Sequence, residues 1–379
     1  MKKNKGFIII LAVLVMVGGG FLIFHNEKEE EAPDKGRAIT DETLLASSIL
    51  NHMSLEEKVG QMFWSRCPLR QQAGEKITAF NPGGYLLLAD FFVDSNIEKT
   101  RAEINALSKI GKIPMAFAII EEGGKDVTAT RFTNFRPEPF RTPGDAYLED
   151  GMEGVIDDAG EKADLLSSMG IKVLWGPVAD ISLNPGSFMY QMSLNQDSEV
   201  TGKFVYETVC ALSDKGISSV ISHFPGYSEN GDVSKGTIID TRSYSEIQSK
   251  DMEPFKEGIL AGTDMILMSH IRYVQVDDEY PASLSPVWHR ILREELKYNG
   301  LIVTDNLRLN AITDTYGLEE SAILAIEAGN DMIFTFSCDI QIPAVIKAVE
   351  SGRLSEKTID ESVLRILKWK IKRGIISPQ

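Results

Sequence analysis

Asp305 stands at the end of an uncharged apolar run, GLIVTD at positions 300–305. A carboxylate is ionised near neutral pH, so burial and fixed geometry suit it to nucleophilic attack without a neighbouring base. Attack on the anomeric carbon of a sugar is chemistry of this kind. Retaining hydrolysis of a glycosidic bond also needs a proton donor across the scissile bond, commonly a second carboxyl group ~5 to 5.5 Å away. Other polar residues stand in the same relation to apolar runs. Glu121 and Glu122 follow PMAFAII, Asp180 ends KVLWGPVAD, Ser222 and His223 lie in ISSVISHF, and Ser269 and His270 lie in DMILMSHI. Each alone is equally well read as a cap for the following helix. Their convergence on one rim favours a site.

The elements that would position these residues are visible as seven short apolar runs. They are GGYLLLA, PMAFAII, KVLWGPVAD, ISSVISHF, DMILMSHI, GLIVTD and DMIFTF, with helix-length amphipathic stretches between most of them. Continuous apolar strands are buried on both faces, as parallel strands are. The series predicts an α/β fold, a (β/α)8 TIM-type barrel with one strand not resolved by pattern. A doubly wound open sheet is the alternative. Ser54 followed by Glu57 fits a capping box opening the helix LEEKVGQMFW. TIDESVLRILKWKIKRG reads as a C-terminal helix whose basic end suits its dipole. Of the four tryptophans, Trp175 lies in a strand and comes nearest the rim, whereas Trp64, Trp288 and Trp369 read as core.

The chain has 379 residues, 43% hydrophobic and 25% charged, and a formal net charge of −16. That composition folds, and that charge repels a phosphate backbone, so nucleic acid is excluded as a partner. Three cysteines without C-x-x-C spacing rule out a disulfide scaffold and a thiolate zinc site. Five histidines without an H-E-x-x-H string give no support for a metal centre. Positions 6–24 form an uncharged apolar run preceded by Lys2, Lys3 and Lys5. Such a run is long enough to cross a bilayer, and the lysines hold its start in the cytoplasm. No A-x-A-like cleavage site follows, so an uncleaved single-pass anchor is favoured over a removed signal peptide. The expected organisation is a cytoplasmic tip and anchor over 1–26, an acidic linker over 27–44, and an extracytoplasmic barrel over 45–379.

Several strings together resemble the N-terminal barrel domain of glycoside hydrolase family 3, within it the β-N-acetylhexosaminidase branch. They are EEGG at 121–124, GPVADISLNPGSFMY at 176–190, HFPGY at 223–227, MSHI at 268–271, ILREEL at 291–296, GLIVTDNL at 300–307 and AGNDMI at 328–333. The resemblance implies a (β/α)8 barrel, a retaining mechanism without metal or organic cofactor, and Asp305 as nucleophile. The candidate substrate contacts are Glu122, Ser222, His223, Tyr227 and His270, with His223 also readable as a satisfied core histidine and Tyr227 as a cover for the barrel rim, and the resemblance implies a β-linked amino sugar glycan as the bound partner.

Four positions depart from the family's pattern. Ile120 stands where an aspartate hydrogen-bonds sugar hydroxyls, and Met192 where an arginine reaches the substrate. Ser222 replaces a lysine, and Ser234 stands where the loop after HFPG carries a histidine. A serine hydroxyl is too weak an acid to protonate a leaving group efficiently. The replacement donors on that loop are Glu229 and Asp232, given a pKa raised by burial. The alternative is that both acids stabilise a solvated turn. Two functions therefore follow: a membrane-anchored glycosidase, or a barrel that binds glycan or a protein partner without turnover.

Overall fold

The computed structural model describes residues 35–377 except Leu69, so the apolar run at 6–24 lies outside the described residues. The capping box forms as expected. Ser54 Oγ accepts the Glu57 N–H at 3.3 Å, and the Ser54 N–H donates to Glu57 Oε2 at 3.0 Å. The helix it opens ends at Gln61, however, and Phe63 begins a strand. This is the strand that pattern alone had merged with the helix, because only Met62 separates them.

Eight parallel strands follow in chain order: β1 Phe63–Arg66, β2 Gly84–Leu86, β3 Ala116–Ile119, β4 Val173–Leu174, β5 Ser218–Phe224, β6 Met265–Met268, β7 Leu301–Thr304 and β8 Ile333–Thr335. Each pairs with its successor from β1 to β7, and β8 pairs with β1 through Phe63 opposite Ile333. The circle closes between β7 and β8. There Val303 bridges Met332, and the Met332 N–H donates to the Ile302 carbonyl at 3.1 Å. The arrangement is a barrel rather than an open sheet.

Side chains alternate across each strand, and both faces are apolar here. Ala116, Ala118, Met265, Leu267, Leu301 and Val303 share one core cluster with Trp64 and Trp175. The residues between them, Phe117, Ile266 and Ile302, pack into two other clusters under the helices. An aromatic column occupies the interior. Trp369 lies 6.0 Å from Trp64, Trp64 lies 5.5 Å from Trp175, Trp175 lies 5.0 Å from Phe334, and Phe334 lies 5.6 Å from Phe336. Trp175 is thus core, in the middle of this column, and Phe336 is the ring that reaches the rim with 40% of its surface exposed.

The C-terminal helix Glu356–Lys372 seals the opposite end. The Trp369 indole N–H donates to Ser218 Oγ at 2.9 Å, and the buried Lys370 ammonium donates to Gln61 Oε1 and the Pro114 carbonyl. The helix Lys35–Leu50 packs on it and begins inside the stretch 27–44 read as linker.

Candidate active site

Asp305 is placed by strand alternation. Leu301 and Val303 point into the barrel core, so two residues on, past the end of β7, Asp305 falls on the inward phase at the mouth. Its backbone N–H donates to the Met268 carbonyl of β6 at 3.0 Å, and its Oδ1 accepts the Asn306 N–H at 2.6 Å. The side chain is half-buried, and among the described residues it forms no ion pair. Nothing in its bonding stands between this carboxylate and a ligand in the mouth.

His270 lies behind it, fully buried at the end of β6. Its Nε2 faces the Asn306 carbonyl at 3.0 Å, and a carbonyl only accepts, so the proton sits on Nε2. Nδ1 then accepts from Ser283 Oγ at 2.7 Å. Burial lowers the ring's pKa, against the pull of the Asp305 charge. His270 is therefore a neutral strut that fixes the backbone next to Asp305.

His223, at the end of β5, is held by Asp180, a strand-end residue whose pairing with it the sequence reading did not foresee. Asp180 has no exposed surface. Its Oδ2 bonds His223 Nδ1 at 2.7 Å and accepts the His223 N–H at 3.2 Å, while its Oδ1 accepts the Tyr227 N–H at 2.7 Å. A buried carboxylate must be paired, and that requirement was the signal available in GPVAD. Tyr227 is buried with its ring edge-on to His223 at 5.3 Å, and burial followed by the nearby Asp305 charge pushes its pKa up. Ser222 is buried, its backbone paired to Pro177 and Ala179.

Glu121 and Glu122 point to different partners. Glu121 accepts the Thr128, Ala129 and Thr130 N–H groups and the Thr130 hydroxyl, which makes it the anchor of the 121–130 turn. Glu122 is buried with Oε1 lacking a hydrogen-bond partner among the described residues. Gly176, with φ +158, makes room for it, since a Cβ there would collide with Glu122 Oε1. Lys162 donates to the Glu122 carbonyl at 3.1 Å, a cation that sequence reasoning missed because it sits mid-helix in an unmarked stretch.

Burial pushes the Glu122 carboxyl up to about 7, with Lys162 and His223 opposing. An acid whose folded pKa is raised stabilises the fold fully below its unfolded value of 4.5, and that contribution is lost as pH rises through about 7. The contribution of Glu122 to the thermal midpoint is therefore lost between pH 5 and pH 8. Glu122→Gln removes part of that slope, with a limit on the order of 3 kcal/mol. Melting curves of both proteins at the two pH values check this, and identical slopes would refute it.

The two loop acids are occupied otherwise. Glu229 is exposed and accepts the N–H groups of Leu183 and Asn184 at 2.9 and 3.3 Å, tying two mouth loops together. Asp232 caps the turn Val233–Lys235. It accepts the Ser234 N–H at 2.9 Å and lies 3.6 Å from Lys235 Nζ. Burial raises its pKa, but the Ser234 bonds and the Lys235 charge outweigh this, so the carboxyl is held below its usual range. The Asp305 charge acts on His223, Tyr227 and His270, and the Asp232 charge also acts on Tyr227.

Comparison with known proteins bears on the family and the fold. A β-hexosaminidase of Hydrogenovibrio crunogenus is 29% identical over 194 residues, covering 50% of this chain and 54% of the relative, so the matched stretch spans about half of that protein. A β-hexosaminidase of Nitrosomonas eutropha is 28% identical over 259 residues, covering 66% of this chain and 72% of its own. Among solved structures, a family 3 β-N-acetylglucosaminidase from a Paenibacillus species superposes with a TM-score of 0.79 at 28% identity, over 86% of this chain and 64% of that one. The sequence model of the glycosyl hydrolase family 3 N terminal domain matches residues 54–369, and with most of its length so matched, this chain belongs to that family.

Proposed function

We propose that the protein is a retaining glycoside hydrolase acting on β-linked N-acetylhexosamine glycans, cell-wall fragments among them. In this reading the run at 6–24 holds the barrel on the outer face of the cell membrane. The observation that carries it is the half-buried Asp305 carboxylate on the inward phase of the barrel mouth, without an ion-pair partner among the described residues. The names of the relatives support the sugar class, and the lysines before the apolar run support export. One observation favours the second reading, glycan binding without turnover. Glu229 and Asp232 both serve as acceptors for backbone N–H groups, and Ser234 carries no useful proton.

The test is turnover of an aryl N-acetyl-β-glucosaminide by the full chain, with the matching β-glucoside for comparison. The expected result is release of the aryl group above the unassisted rate, with the amino sugar preferred. Protease added to intact cells should reach the barrel. No turnover, together with measurable binding of N-acetylglucosamine oligomers by calorimetry, would establish the second reading instead.

A further inference from the structure

After β5 the chain forms a loop over 226–241 whose two feet meet on one buried carboxylate, Asp251. At the first foot Gly226 sits so close that a Cβ there would meet Asp251 Cβ at 2.5 Å, and the Gly226 carbonyl accepts the Tyr273 hydroxyl at 2.9 Å. At the second foot Arg242 donates from Nη1 to Asp251 Oδ2 at 2.7 Å. The same guanidinium holds the buried Asp240, from Nη2 to Oδ2 at 2.7 Å and from Nε to the two oxygens at 3.1 and 3.0 Å. Burial works against the Asp240 charge, but the Arg242 and Asn230 bonds outweigh it and hold the carboxyl below its usual range. One cation therefore closes the loop.

From Asp240 the bonds run on to the mouth. Asn230 Nδ2 donates to Asp240 Oδ2 at 2.7 Å and to the Tyr227 carbonyl at 2.8 Å. Its neighbour Glu229 accepts the Leu183 and Asn184 N–H groups and the Ser182 hydroxyl. Tyr227 stands edge-on to His223 and lies 6.0 Å from the Phe188 ring of the facing loop. Two mouth loops thus belong to one chain of bonds that begins at Arg242.

We infer that Arg242 is a positioning residue for the barrel mouth, acting through Asp240 and Asn230 on the loops at 182–188 and 226–236. The inference rests on the reading of that mouth as a sugar site. A planar guanidinium engages two carboxylates at fixed angles, which the point charge of an ammonium cannot do. Without it Asp240 and Asp251 are two buried like charges at the feet of one loop, and each disfavours the other. A contact displaced by ~1 Å can cost ~10²-fold in rate, even when the change lies far from the chemistry.

The test uses the full chain, with calorimetric binding of N-acetylglucosamine oligomers and turnover of an aryl N-acetyl-β-glucosaminide. Arg242→Lys keeps the charge and loses the fork. Asn230→Ala cuts the chain of bonds and leaves the buried ion pairs whole, so it decides the matter if Arg242→Lys fails to fold. Each variant should weaken oligomer binding and raise KM ~10-fold, while kcat, which depends on Asp305 on β7, changes less. The double variant should lose no more than the worse single one, because both act along the same chain. Amide hydrogen exchange should quicken over 227–235 and at Leu183 and Asn184, with β6 and β7 unchanged. A merely structural role would lower the melting temperature and leave binding, KM and the exchange at Leu183 and Asn184 as they were. That pattern, or an Asn230→Ala protein indistinguishable from the native one, would overturn the inference alone. A native chain that neither binds the oligomers nor releases the aryl group would overturn the sugar-site reading, and this inference with it.

Discussion

Asp305→Asn abolishes turnover, with an expected loss in kcat on the order of 10⁴ to 10⁶-fold, as when the nucleophile of another covalent mechanism is removed. An amide oxygen is a poor nucleophile and a poor leaving group, so both halves of the reaction fail. The fold should survive. Asp305 forms no ion pair among the described residues, and its one side-chain bond, to the Asn306 N–H, is one that an amide oxygen can keep. A second effect travels with the first. The Asp305 charge helps to keep His223 protonated and holds up the His270 pKa, so both rings should lose their protons at lower pH in the variant. Steady-state kinetics with an aryl glycoside, and histidine titration by NMR, read the two effects separately. Turnover within tenfold of the native rate would remove Asp305 from the reaction.

The largest stability effect is expected at a residue that never meets the substrate. Asp331 is fully buried just before β8. Its Oδ2 bonds Arg293 at 2.5 Å and the Ile302 N–H of β7 at 2.9 Å, and its Oδ1 bonds Arg365 Nε at 2.9 Å. One carboxylate thus ties the seam between the last two strands to the helical layer and the C-terminal helix. Asp331→Ala leaves the Arg293 guanidinium and the Ile302 N–H without this acceptor, a change that typically costs about 3 to 5 kcal/mol. Urea unfolding should register that loss, and a change below about 1 kcal/mol would show that the seam does not depend on the carboxylate. Because the seam carries Asp305, activity should fall well before the midpoint of unfolding is reached.

Strands were legible in the sequence wherever burial on both faces left an uninterrupted apolar run, and seven of the eight were marked in this way. β1 was hidden because FWSR begins one residue after a helix, with no glycine or proline to punctuate the change. At the site, residues that end strands could be read directly, Asp305 and His223 among them. Their partners could not. Asp180 meets His223 from 43 positions away, and Lys162 meets Glu122 from 40. Pairings over such separations are fixed by strand order and helix packing rather than by local pattern. The loop acids show the complementary limit. Glu229 and Asp232 have the right chemistry, but which backbone N–H groups claim their oxygens depends on how two mouth loops meet.

The aromatic column has an optical consequence. Trp64 lies 6.0 Å from Trp369 on one side and 5.5 Å from Trp175 on the other, and each of the three is almost wholly shielded from water. Their emission should be blue, resistant to dissolved quenchers, and shared by energy transfer. Phe334 and Phe336 complete the contact from these indoles to the open end. A ligand settling against Phe336 can therefore announce itself in ultraviolet fluorescence without any dye attached.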